Sequence, residues 1–175
     1  MSLDQISFKP TRIYNLDYES FPGGRRITPE NVDNFWNEHK IPDSIQKGRG
    51  IYIFGLRLPN SYMPAYVGKT KTTFKTECFT PRNLNIYNGE IIRYEREFKP
   101  FLFFLVMAKS KGPVNNKVLL ELETYLINLA AEKNPNLANI RGLDKGARFI
   151  ITDLGGRGFG APTKNGKAFK QLFNF

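Results

Sequence analysis

Apolar residues fall along the chain in blocks whose spacing separates strands from helices. Ile51-Tyr52-Ile53-Phe54, opened by Gly48-Arg49-Gly50, is a β-branched and aromatic run that predicts a strand. Pro59-Asn60-Ser61 is turn chemistry, and Ala65-Tyr66-Val67-Gly68 predicts a second short strand, so the pair reads as an antiparallel hairpin. Phe101 to Ala108 is continuously apolar, the pattern of a central buried strand, and Gly112-Pro113 breaks it. Phe149-Ile150-Ile151 predicts an edge strand. Thr28-Pro29-Glu30 joins a capping hydroxyl, a first-turn proline and an acid near the positive helix end. It predicts a helix to His39 or Lys40 that buries Val32, Phe35 and Trp36 and stops before Pro42. Residues 70–98 are mixed, with helical turns expected around Thr72–Phe79 and Glu90–Phe98. A long helix starts at Asn115 or Asn116 and runs through Lys133 to the stop at Asn134-Pro135. Gly155 to Gly160 is expected to be a flexible, glycine-dense loop.

The long helix carries an acid on its apolar side. On a wheel starting at Val118 and advancing ~100° per residue, Leu122, Tyr125 and Leu129 gather within ~40° of the origin. Leu119, Leu126 and Ala130 follow at ~80–120°, and Glu121, Thr124 and Asn128 form a polar face at ~240–300°. Glu121 is therefore expected to be an ordinary solvated acid. Glu123 lies at ~140°, between Ala130 and Ile127, inside the apolar arc. An unpartnered polar group there costs roughly 2–7 kcal/mol. Glu123 needs a basic side chain, hydrogen-bond donors or a metal ion, unless this flank of the helix is exposed. Residues 50–140 contain no aspartate. A metal in this region would rely on glutamate, amide or carbonyl oxygens and waters, which suits Mg²⁺.

Composition narrows the classes. The 175 residues, 41% hydrophobic and 14% aromatic, are enough for one domain with a core and exclude a wholly disordered chain. The net charge of +10 points to a polyanion, either nucleic acid or an acidic membrane surface. The charge is uneven: residues 1–49 are neutral, while residues 50–140 and 141–175 each carry +5. The tail pairs its lysines, Lys164, Lys167 and Lys170 among them, with Phe159, Phe169, Phe173 and Phe175. That composition suits nucleic acid, although packing of the phenylalanines onto the core is the simpler expectation. One cysteine, Cys78, and one histidine, His39, exclude a disulfide framework, a zinc finger and an HExxH protease. A serine hydrolase triad would depend on His39, beside Phe35 and Trp36 in a helix. No run approaches ~18 apolar residues, and Met1 to Pro10 lacks a signal-peptide core. A cytoplasmic compartment and no membrane partner are the expectation.

Nucleotide-binding motifs fail on inspection. Gly68-Lys69-Thr70 would need a glycine at position 63, which is Met63, to form a P-loop. The Gly155–Gly160 loop does not fit a dinucleotide fingerprint, and the kinase motifs are absent. Two tyrosines on paired strands carry more information. Gly50-Ile51-Tyr52 is followed fourteen residues on by Tyr66-Val67-Gly68. An apolar strand comes next, then Leu122-Glu123-Thr124-Tyr125-Leu126-Ile127 and Asn134-Pro135-Asn136-Leu137-Ala138-Asn139. In that order the pieces resemble the GIY-YIG nuclease superfamily over residues 48–140. Either three-residue motif alone recurs by chance; the ordered set is more specific.

The resemblance implies an α+β fold: a small central antiparallel sheet of about three strands flanked by helices. Residues 1–47 would be an N-terminal extension with one helix, and 141–175 a basic, Gly- and Phe-rich C-terminal one. It implies a DNA endonuclease that uses one divalent metal, Mg²⁺ or Mn²⁺. By that likeness Glu123 would hold the metal, and Tyr52 would be the general base or position the attacking water. Tyr66 would hydrogen-bond to phosphate or the water network, and Asn139 would support the site. A tyrosine would need metal-bound water or the nearby Lys69 cation to act near neutrality, and Lys69 would be a further phosphate contact. The family places an arginine about ten residues after the second tyrosine. Here that place is Thr76 or Glu77; Lys75 is the nearest cation and Arg82 the nearest arginine beyond, and either could reach phosphate. Lys164, Lys167 and Lys170 are the expected tail contacts to DNA. A catalytically impaired DNA-binding module on the same fold and a basic RNA-binding protein remain alternatives. A dimer would suit double-strand cleavage, but no interface can be read.

Overall fold

The computed structural model describes residues 6–38, 41–94, 97–108, 116–139, 149–155 and 160–173. Two short strands come first, β1 (Ile6–Pro10) and β2 (Tyr14–Asn15), then a separate ribbon of β3 (Glu19–Phe21) and β4 (Gly24–Arg26). Helix α1 (Pro29–Glu38) follows. Its cap is reciprocal: the Asn31 N–H donates to Thr28 Oγ1 at 3.3 Å, and the Thr28 N–H to Asn31 Oδ1 at 2.9 Å. One turn, α2 (Asp43–Gln46), leads to the hairpin of β5 (Gly50–Leu58) and β6 (Ser61–Thr70), closed by Pro59-Asn60. Then come α3 (Phe74–Glu77), α4 (Pro81–Arg93), β7 (Lys99–Met107), α5 (Asn116–Lys133), β8 (Phe149–Ile151) and α6 (Lys164–Phe173).

The main sheet has six strands, in the order β6-β5-β7-β1-β8 with β2 also on β7, where about three were expected. It is antiparallel except for the parallel pair β1–β8. The additional strands come from outside residues 48–140. β7 is buried along most of its length, so its far side needs partners, and β1 and β2 supply them. Those strands are too short and mixed to show a period in sequence. The expected turns around Glu90–Phe98 are corrected to α4, capped by Thr80 with Pro81 in its first turn. The tail forms α6, which buries Phe169, Leu172 and Phe173 against the core, as their aromatic content allowed.

Alternation sends β5 and β6 side chains to two cores. On one face Ile51, Ile53 and Val67 pack with Leu122 and Leu126 of α5 and Phe169 of α6. On the other, Tyr52 and Phe54 pack with Trp36 of α1, Phe74 of α3 and Tyr87 of α4, and the register shift opposite Phe54 and Gly55 turns Ala65 to the same side. Gly50 sits where the chain enters the sheet, at φ +144°, and a Cβ there would run into the Leu105 carbonyl. Only glycine fits that start of the Gly-Ile-Tyr segment. Among the described residues, no helix is long and apolar enough to cross a membrane. His39, Lys40, Gly112, Pro113, Asn115, Arg141, Lys145, Arg148, residues 156–159 and Phe175 lie outside the described residues.

Candidate active site at the edge of the sheet

β6 is a terminal strand, and the segment after α5 pairs along its outer side. Asn134 Nδ2 donates to the Pro64 carbonyl at 2.9 Å, and the Ala138 N–H to the Ala65 carbonyl at 3.0 Å. The Asn139 side chain takes both backbone groups of Val67: its oxygen accepts the N–H at 3.3 Å, and its Nδ2 donates to the carbonyl at 2.7 Å. Amides thus satisfy an edge that would otherwise be bare, and they tie α5 to β6. Asn139 thus holds the backbone of β6.

That register sets a charged pair. Lys69 follows Val67 by two residues and faces α5, where its Nζ lies 2.6 Å from Glu123 Oε2. The Glu123 side chain is 7% exposed and that of Lys69 25%. The acid on the apolar arc is buried and has a basic partner, as its position required. Glu121 differs from expectation: it is half-buried and one of its oxygens is shielded from solvent, because the polar flank of α5 is partly covered.

The opposite face of the hairpin is phenolic. Tyr52 is almost fully buried, with its ring centroid 6.2 Å from that of Tyr66. It lies across Gly68, its cross-strand partner, and a Cβ on Gly68 would strike the Tyr52 ring. The Tyr-Val-Gly glycine therefore makes room for the Gly-Ile-Tyr tyrosine. Asn83 of α4 donates from Nδ2 to Tyr52 Oη at 2.9 Å. Burial, then the Tyr66 and Cys78 groups, push the Tyr52 phenol well above its ordinary pKa; the Asn83 hydrogen bond works against this, and Glu77 adds to the rise. The same burial raises Cys78 and Tyr87.

The two faces meet in one cavity of about 480 Å³ that wraps the β6 edge. It brings together Tyr52, Tyr66, Lys69, Arg82, Glu123 and Asn139. Arg82 is exposed at the N-terminus of α4, where the helix dipole adds positive potential. Glu77, in the place where an arginine was expected, also lines the cavity. Lys75 does not join the described lining. It is exposed on α3, and its charge acts on Asp43 of α2. Lys164, Lys167 and Lys170 are on α6, packed across the face that holds α5, and are likewise not among the lining residues. Sequence reasoning passed over Asn83; the Thr80-Pro81 cap, which sets residue 83 in a first helical turn, was the available signal.

Among the described residues, no group of three or more acidic, cysteine or histidine side chains gathers. The donor set is one buried carboxylate beside amide and hydroxyl oxygens, with a cation, the Lys69 ammonium, already at the carboxylate. A Mg²⁺ or Mn²⁺ ion there would have to displace the ammonium and keep most of its waters, and the set suits neither structural Zn²⁺ nor a cage for Ca²⁺. No family model, curated protein or solved structure matches the chain.

Proposed function

We propose that the chain is a GIY-YIG-type nuclease that hydrolyses DNA phosphodiester bonds with Mg²⁺ or Mn²⁺ held by Glu123. The observation that carries this reading is the meeting of Tyr52, Tyr66 and Glu123, from three elements, in one cavity that also holds Lys69 and Arg82. A phosphodiester is anionic and gathers charge on its oxygens in the transition state. Arg82 offers a planar fork to that charge and Lys69 a point charge. Tyr66 hydrogen-bonds to phosphate or to water beside it. Tyr52 is buried, and Lys69 is turned to Glu123. It therefore works as a neutral phenol that positions water, rather than as a general base. A bound metal ion neutralises phosphate charge and activates water. Asn139 keeps β6 and α5 in register beneath these groups.

One observation favours a second reading, a DNA-binding module on this fold that does not cut. Glu77 brings an acid into the cavity where the family has arginine. Incubation of the protein with supercoiled plasmid and Mg²⁺, with a chelator control, separates the two. Metal-dependent nicking or linearisation supports the nuclease. Binding without cleavage on varied DNA substrates supports the module. Preference for single-stranded RNA over duplex DNA overturns both.

A further inference from the structure

Asn83 is a buried polar side chain, 3% exposed, that the chemistry above does not use. It lies in the first turn of α4, where its N–H donates to Thr80 Oγ1 at 3.4 Å. Its Nδ2 donates to the Glu77 carbonyl at 2.8 Å and to Tyr52 Oη at 2.9 Å. A backbone carbonyl can only accept, so the contact with Glu77 fixes which end of the amide is nitrogen. Both hydrogens of Nδ2 are then used, one on each acceptor. Nothing on that nitrogen can accept the phenol proton. The Tyr52 O–H must point elsewhere, and Tyr52 lines the cavity. Gly68 leaves the ring no side chain to clash with in this pose.

We infer that Asn83 is a positioning residue that turns the Tyr52 hydroxyl proton into the cavity, so that Tyr52 donates a hydrogen bond to the phosphate or to the water beside it. The inference rests on the nuclease reading for what Tyr52 meets, but not for the direction of its proton. Asn83→Asp reverses the polarity, because a carboxylate accepts the phenol proton and draws it out of the cavity. Asn83→Ala removes the donor without offering an acceptor, and serves if the aspartate variant does not fold.

Two readouts test it. Isotope-edited NMR of the tyrosine Cζ carbons, with the Tyr52 signal assigned from its loss in Tyr52→Phe, reports the hydrogen bond directly. The Tyr52 signal is expected to move in both Asn83 variants. Single-turnover cleavage at saturating DNA is expected to fall by roughly 10- to 100-fold in Asn83→Asp, with DNA affinity within about 2-fold. In a Tyr52→Phe background the same change should cost less than about 2-fold, because the residue it acts through is gone. A Tyr52 signal unmoved in folded variants overturns the inference, as do losses that multiply in the double variant. If the wild type cuts no DNA, the nuclease reading fails while the NMR result still decides whether Asn83 donates to the Tyr52 oxygen.

Discussion

The two sides of β6 reach the same cavity by different physics. On the α5 side, Lys69 and Glu123 form a charged pair 2.6 Å apart at the rim of a core of aliphatic and phenylalanine side chains. On the α4 side, the Tyr52 and Tyr87 phenols, the Asn83 amide and the Cys78 thiol are neutral and buried. The charged side holds its acid with a half-buried ammonium. The phenolic side is locked by packing and by an amide with both hydrogens used. An ion pair on one side and a packed phenol on the other thus line one cavity, and the edge strand between them joins the two.

The phenolic side is the more sensitive to substitution. Gly68→Ala puts a methyl group into the Tyr52 ring, so the ring must leave its bond with Asn83. Cleavage is expected to fall by roughly 10- to 100-fold, with about 1–3 kcal/mol lost from stability by overpacking. Denaturant melts beside single-turnover rates measure both, and an unchanged rate would mean that the ring position is immaterial.

On the charged side, Lys69→Met removes a basic partner of the buried Glu123 carboxylate. A fully buried pair broken in this way loses about 3–5 kcal/mol; with Lys69 partly exposed, about 1–2 kcal/mol is expected. Mn²⁺ should restore more thermal stability to this variant than to the wild type, because the ammonium no longer competes for Glu123. Equal Mn²⁺ stabilisation of both proteins would separate Glu123 from metal binding.

The smallest effect concerns pH. Burial raises Tyr52, Tyr87 and Cys78, so the fold favours their protonated forms. Their contribution is complete below the ordinary values of 9.0 for the thiol and 10.0 for the phenols, and is lost as pH rises beyond them. The melting temperature should therefore be insensitive to these groups up to about pH 9 and fall above it, less steeply in Tyr52→Phe. An identical alkaline slope in that variant would remove Tyr52 from the account.

The parts of the fold that announce themselves in sequence have strong local signals. Phe101 to Leu105 is fully buried, and the hairpin turns at Pro59-Asn60. Glu123 stands out because an acid on an apolar arc is costly. Other parts have no such signal. β1 and β2 are five and two residues long and gain meaning only once β7 needs neighbours. Asn83, Asn85, Asn88 and Gly89 dilute the helical pattern of α4 with weak helix formers, which hides the helix that carries Arg82. α6 has apolar residues at helical spacing, but Gly166 near its start and its lysines read as tail composition. Gly166 fits there because a Cβ would strike the Asp153 carbonyl, a contact invisible from sequence. Asn83 carries no charge and belongs to no motif, so its role appears only with its partners.

The most direct test of the central claim is Glu123→Ala, assayed for plasmid cleavage in Mg²⁺ and, in the same preparation, for DNA affinity. Cleavage is expected to disappear while affinity changes by no more than about 3-fold, as it should if Glu123 holds the metal and the cations hold the phosphates. Cleavage at the wild-type rate by this variant would contradict that claim.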